Sequence, residues 1–173
     1  RLLQQRDGLM LGICNGFQAL IKLGLVPYGD IRPITACDPT LTFNTIGRHQ
    51  SRLVRTRISS NLSPWLSQCS LEDPYTVAIS HGEGRFVAND EVLAQLIANG
   101  QVATQYVGEN GKPSMDLSVN PNGSALAIEG ITSPDGRVFG KMGHSERFAP
   151  GLFRNIAGDK DQKIFLSGVS YFK

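Results

Sequence analysis

The chain has 173 residues, 40% of them hydrophobic, with 19 glycines besides, and 17 Lys+Arg against 15 Asp+Glu leave a formal charge of +2. This is the length of roughly one domain, with enough apolar content to bury a core, which excludes a disordered segment. The small, scattered charge excludes a nucleic-acid-binding footprint. No apolar stretch approaches the roughly 18–20 residues a membrane span needs, and Arg1-Leu2-Leu3-Gln4-Gln5-Arg6-Asp7 lacks the apolar region of a secretory signal. Three cysteines, Cys14, Cys37 and Cys69, cannot complete a disulfide framework, and no two have C-x-x-C spacing. The expectation is a soluble, cytoplasmic protein with reduced thiols and no nucleic-acid or membrane partner.

In chain order, Leu9–Ile13 is an apolar run of strand length, and Phe17, Leu20 and Ile21 follow at helical spacing up to Gly24. Residues 9–24 therefore read as strand, abrupt turn, helix. Pro27 to Pro39 is irregular. Leu53–Ile58, Thr76–Ser80 and Val102–Val107 read as strands. Asp90 is positioned to cap a short helix that stops at Gly100. Asn120-Pro121-Asn122-Gly123-Ser124 is a turn, and Ala125–Thr132 with Arg137–Met142 forms a hairpin about Pro134-Asp135-Gly136. Strands mixed with helices predict an α/β layered domain. A strand–elbow–helix unit normally lies in a parallel sheet with βα units before it, whereas here it starts about nine residues from Arg1.

The elbow has a chemical logic. A cysteine at the tip of a strand, opening a helix, projects its sulfur outward, and the helix N-terminus favours the thiolate. The backbone N–H of Asn15 can point at an oxyanion on an attacked carbonyl. Gly12 and Gly16 permit close approach of backbone, as in the G-x-S-x-G elbow of hydrolases. A buried cysteine at a strand end is the alternative reading. Of the three histidines, His49 lies in a basic stretch and His81 follows a strand, but only His144 has an acid two positions on. In extended chain Glu146 shares a face with His144 and can hold its tautomer.

Gly12-Ile13-Cys14-Asn15-Gly16-Phe17-Gln18 together with Gly143-His144-Ser145-Glu146-Arg147 resembles the class I, triad-type glutamine amidotransferases. Ser80-His81-Gly82-Glu83-Gly84-Arg85, the Asn44…Arg48…Arg52 segment and Lys141–Arg147 narrow the resemblance to the glutaminase domain of phosphoribosylformylglycinamidine synthase, over almost the whole chain. The resemblance implies a flavodoxin-like layered fold of the class I amidotransferase type. It implies glutamine hydrolysis by Cys14 as nucleophile, His144 as base and acid, and Glu146 as orienting carboxylate. Gln18, Asn15, His81 and Gly82 would contact substrate; for Gln18 a polar residue on an exposed helix side, and for His81 a structural turn, are the alternatives. The ammonia would pass to a synthetase domain holding ATP and Mg, with no cofactor and no metal in the glutaminase domain itself. The synthetase and N-terminal regions of the same polypeptide would be its partners.

The resemblance is closest to the large single-polypeptide enzyme, with residues 1–173 as the C-terminal part of one glutaminase domain and its N-terminal βα units missing. In that family an earlier glycine-rich loop supplies a second oxyanion N–H, and residues 1–11 contain no such loop. Loss of one donor typically costs about 10²–10³ in rate, so the fragment alone is expected to be inactive. Two other functions stay open: a different cysteine amidase or peptidase on the same fold, and a non-catalytic interaction module. Residues 44–52 and 80–86 speak against the first, and the joint presence of Cys14, His144 and Glu146 against the second. The histidines and cysteines show no zinc spacing, and Val87 stands where a dinucleotide loop starting at Gly82 needs its third glycine.

Overall fold

The computed structural model describes residues 1–173. A single helical turn, α1 (Leu2–Gln5), precedes strand β1 (Met10–Ile13), which ends at Cys14, the cap of helix α2 (Asn15–Lys22). Phe17, Leu20 and Ile21 form the buried face of α2, as their spacing predicts. After α3 (Leu25–Tyr28) come β2 (Thr40–Phe43), β3 (Gln50–Ile58), β4 (Pro74–His81), β5 (Glu83–Val87), α4 (Asp90–Ala98), β6 (Val102–Tyr106), β7 (Ile128–Thr132), β8 (Val138–Lys141) and α5 (Ile164–Ser170). The cap of α4 lies one residue earlier than expected. Asn89 accepts the Val92 N–H at 2.8 Å, and Asp90 instead places its charge in the first turn.

The main sheet has six strands in the order β1-β8-β7-β6-β3-β4, and β2 pairs with β5 in a separate antiparallel ribbon. Only β1 and β8 are parallel. The other pairings in the main sheet are antiparallel, so the parallel setting expected around the elbow is confined to one strand pair. The hairpin at Pro134–Gly136 explains part of this, since a connection that short can join only antiparallel strands. The sheet is curled so that its two edge strands meet. The Cys14 thiol, just past β1, donates to the Ser80 carbonyl of β4 at 3.7 Å, and the His144 N–H donates to the Ala78 carbonyl at 2.8 Å. Ser80 and Ala78 are two residues apart, so both carbonyls leave β4 on the same edge.

Successive residues of the central strand β8 enter different cores, because both faces of the sheet are covered. Val138 joins a cluster with Phe17, Leu20, Phe86 and Ile131, whereas Phe139 joins one with Val54, Ile79, Tyr106 and Ile164. Two glycines let α2 lie close against the sheet. A Cβ at Gly12 would stand 2.7 Å from the carbonyl carbon and oxygen of Gly16, and one at Gly140 would stand 2.2 Å from the Phe17 ring. Gly16 itself faces open space, so the close approach expected of both elbow glycines is required only at Gly12.

Candidate active site

Cys14 occupies φ +53°, ψ −106°. A non-glycine residue held in such a region costs about 1–3 kcal/mol and persists only where its surroundings impose it. Here the Cys14 N–H donates to Lys141 O at 2.8 Å, and its carbonyl accepts the Gln18 N–H at 3.2 Å. The sequence therefore turns sharply between a strand anchored on β8 and a helix pressed against β1.

The protonation state of the sulfur corrects the expectation from the helix N-terminus. Burial pushes the Cys14 thiol up, and this outweighs the Asn15 N–H and the Arg147 guanidinium, which pull it down; Glu146 adds to the rise. A proton acceptor is therefore needed to make the nucleophile. Because the raised pKa shrinks the thiolate fraction below that of a free cysteine at neutral pH, iodoacetamide labelling of Cys14 should keep accelerating past pH 9. A rate profile that is flat above pH 8 would contradict the buried-thiol assignment.

His144 is the candidate acceptor: its backbone N–H is held by Ala78 O of β4, two residues from the Ser80 carbonyl that takes the Cys14 thiol. His144 Nδ1 lies 2.5 Å from Glu146 Oε1, which leaves Nε2, buried and without a hydrogen-bond partner, as the free ring nitrogen. The contact is made differently from the extended-chain expectation. Ser145–Arg147 form a 3₁₀ turn, and the carboxylate folds back onto the ring across it. The Glu146 side chain is 42% exposed, against 11% for His144, so the carboxylate faces water on its outer side.

The other expected site residues separate. The Gln18 side-chain amide donates to Glu83 O at 2.6 Å, tying the first turns of α2 to the β4–β5 turn. Asn15 has an exposed side chain and presents its backbone N–H to the sulfur. Gly82 is half-buried, with its carbonyl taking the Asn44 N–H at 2.9 Å. His81 departs from expectation: its ring is buried beneath Gly84, where a Cβ would come within 2.4 Å of it. Burial holds its pKa down at about 4, so the ring is neutral and offers no open face to a ligand.

Sequence reasoning left unassigned the groups that hold this turn. Asn44, buried, donates to His81 O at 2.8 Å and accepts the Gly84 N–H at 3.2 Å. Asn122, also buried, donates to Gly84 O at 2.6 Å. Asn120-Pro121-Asn122 reads as an ordinary turn, and only its burial shows that the side chains bond inward. No group of three or more His, Cys, Asp or Glu side chains is arranged to hold a metal ion. No helix is long and apolar enough to cross a membrane. A surface cavity of about 500 Å³ beside Arg57, Ile97 and Met115 shares no residue with the elbow.

Comparison with known proteins identifies the family. The model of the CobB/CobQ-like glutamine amidotransferase domain matches residues 1–172. The phosphoribosylformylglycinamidine synthase subunit PurQ of Moorella thermoacetica is 32% identical over 166 residues, covering 96% of this chain and 64% of the relative. The PurQ subunit of Symbiobacterium thermophilum is 37% identical over 164 residues, covering 95% and 63% respectively. Among solved structures, PurLQS from Thermotoga maritima contains a chain superposing with a TM-score of 0.70 at 30% identity, over 98% of this chain and 64% of that one. The chain thus spans just under two thirds of the length of the curated relatives it matches. It belongs to the CobB/CobQ-like glutamine amidotransferase domain family.

Proposed function

We propose that this domain is the glutaminase of a phosphoribosylformylglycinamidine synthase. The observation that carries the reading is a strained cysteine elbow and a histidine held on the same edge of β4, the histidine's outer nitrogen bonded to a carboxylate and its inner nitrogen free. In this reading His144 Nε2 takes the Cys14 proton as the sulfur attacks the glutamine carboxamide carbon. The oxyanion forms against the Asn15 N–H. The tetrahedral intermediate collapses as His144 returns the proton to the leaving nitrogen, releasing ammonia and leaving a glutamyl thioester on Cys14. Water, losing its proton to His144, attacks the thioester; glutamate departs and the thiol is restored. The Glu146 carboxylate stabilises the imidazolium formed in each half.

The names of the relatives, subunits of phosphoribosylformylglycinamidine synthase, support the next step, in which a synthetase uses the ammonia to make the amidine. ATP and Mg belong to that partner. We also infer that the synthetase and N-terminal regions lie on one large polypeptide with this domain at its end, and that residues 1–173 alone turn glutamine over poorly. The resemblance in sequence supports the single polypeptide, whereas the relatives named above are separate subunits. The intact mass of the natural protein separates the two arrangements. The catalytic assignment is tested by a glutamine-mimicking chloroketone, which should modify Cys14 and leave the other two thiols free. Cys37 is exposed and lies outside the elbow, and burial pushes Cys69 up to about 11. Label spread over all three cysteines, undiminished by added glutamine, would overturn it.

A further inference from the structure

Beneath the His144 loop lies a charged pair wholly withdrawn from solvent. Lys141 and Glu129 are both fully buried, with Nζ 3.3 Å from Oε1. Their remaining bonds are complementary. Lys141 Nζ donates to Gly143 O at 2.7 Å and to Ser145 Oγ at 2.9 Å, so an ammonium finds three acceptors. Glu129 accepts from the Gly143 N–H and the Thr104 hydroxyl as well as from Lys141. Ser145 Oγ in turn donates to Gln162 Oε1 at 2.5 Å, and Gln162 Nε2 reaches Thr56 Oγ1 at 3.2 Å on β3.

Burying such a pair is costly, and apolar side chains of equal volume would often serve stability as well or better. Its position is more informative than its strength. The pair grips both ends of residue 143 and the side chain of residue 145, the two neighbours of His144, while Ala78 O holds the N–H of His144 itself. Gly143 is the residue that permits this grip, since a Cβ there would stand 2.8 Å from both Glu129 Oε1 and Val77 Cγ2. His144 Nε2, by contrast, has no bond of its own to fix it.

We infer that the buried Lys141–Glu129 pair is a positioning device for His144, holding its flanking peptides so that Nε2 faces the Cys14 sulfur. This rests on the glutaminase reading for its rate consequence, but its geometric content is separable, because Cys14 can be alkylated without substrate. The experiment uses the full-length protein with Lys141→Met, His144→Ala and the double variant. Iodoacetamide labelling of Cys14 is followed at pH 7, where the thiol is protonated and the attack depends on His144. Glutamine kcat and KM are measured in parallel. Lys141→Met should slow labelling and kcat by about 10- to 100-fold, as displacement of a reacting group by about 1 Å does, with KM little changed. In the His144→Ala background it should have no further effect. Equal slowing in both backgrounds, or no slowing in either, overturns the inference. If Lys141→Met does not fold, Ser145→Ala, which leaves Lys141 its bonds to Gly143 and Glu129, should act in the same direction by severalfold. A wild-type protein whose labelling obeys this cycle but which does not hydrolyse glutamine would refute the glutaminase reading and leave the positioning role standing.

Discussion

Cys14→Ala in the full-length protein is expected to abolish glutamine-dependent synthesis while sparing synthesis from added ammonium. Removing a nucleophile that works as a unit with its base costs about 10⁶ in turnover in a well-studied protease triad, enough here to reduce glutamine hydrolysis to background. The substitution is structurally mild. The thiol makes one long hydrogen bond, to Ser80 O at 3.7 Å, while the backbone bond to Lys141 O is independent of the side chain. Alanine must still adopt φ +53°, which it does no less readily than cysteine, so the elbow should persist. In the proposed division of labour, ammonium bypasses the glutaminase site. A folded Cys14→Ala protein that loses both activities would show that the two half-reactions do not occupy separate sites.

The second large effect is expected at the histidine. His144→Ala should lower glutamine turnover by about 10²–10⁴-fold, because it removes proton transfer to and from the reacting atoms. Glu146→Gln should cost less and leave some activity, because the carboxylate orients and supports the imidazole without itself transferring the proton. The order follows from the geometry. Nε2 is the buried nitrogen with no other partner, whereas the Glu146 carboxylate is 42% exposed and shares its stabilising role with water. Burial keeps the Cys14 sulfur protonated, which makes an acceptor indispensable to attack. A Glu146→Gln variant less active than His144→Ala would require the carboxylate to take part in proton transfer itself. Steady-state glutamate release, measured for both variants beside the wild type, decides the order.

What the sequence determined by itself is local. A short apolar run, a cysteine between glycines and three apolar residues at helical spacing define β1, the elbow and α2, since each depends on residues within one or two turns of chain. The hairpin at Pro134–Gly136 is legible for the same reason. The ribbon of β2 and β5 is not, because four residues after Pro39 and a glycine-containing segment at Glu83–Val87 carry too little pattern and are stabilised only by each other. Helix α5 also escapes, because Ile164–Leu166 are followed by Ser167 and Gly168 and set up no helical period, and Gly168 is needed for contact with the Trp65 ring rather than as a helix stop. The Cys14, His144 and Glu146 set is readable as residue types. The anchoring of Cys14 and His144 on the same edge of β4 is not, since it requires the sheet to curl until the free edge of β4 meets the end of β1. Burial and charge are properties of that closure. Only the tertiary structure raises the Cys14 thiol, hides the His81 ring and sets Lys141 against Glu129, because desolvation depends on what distant segments bring to a site.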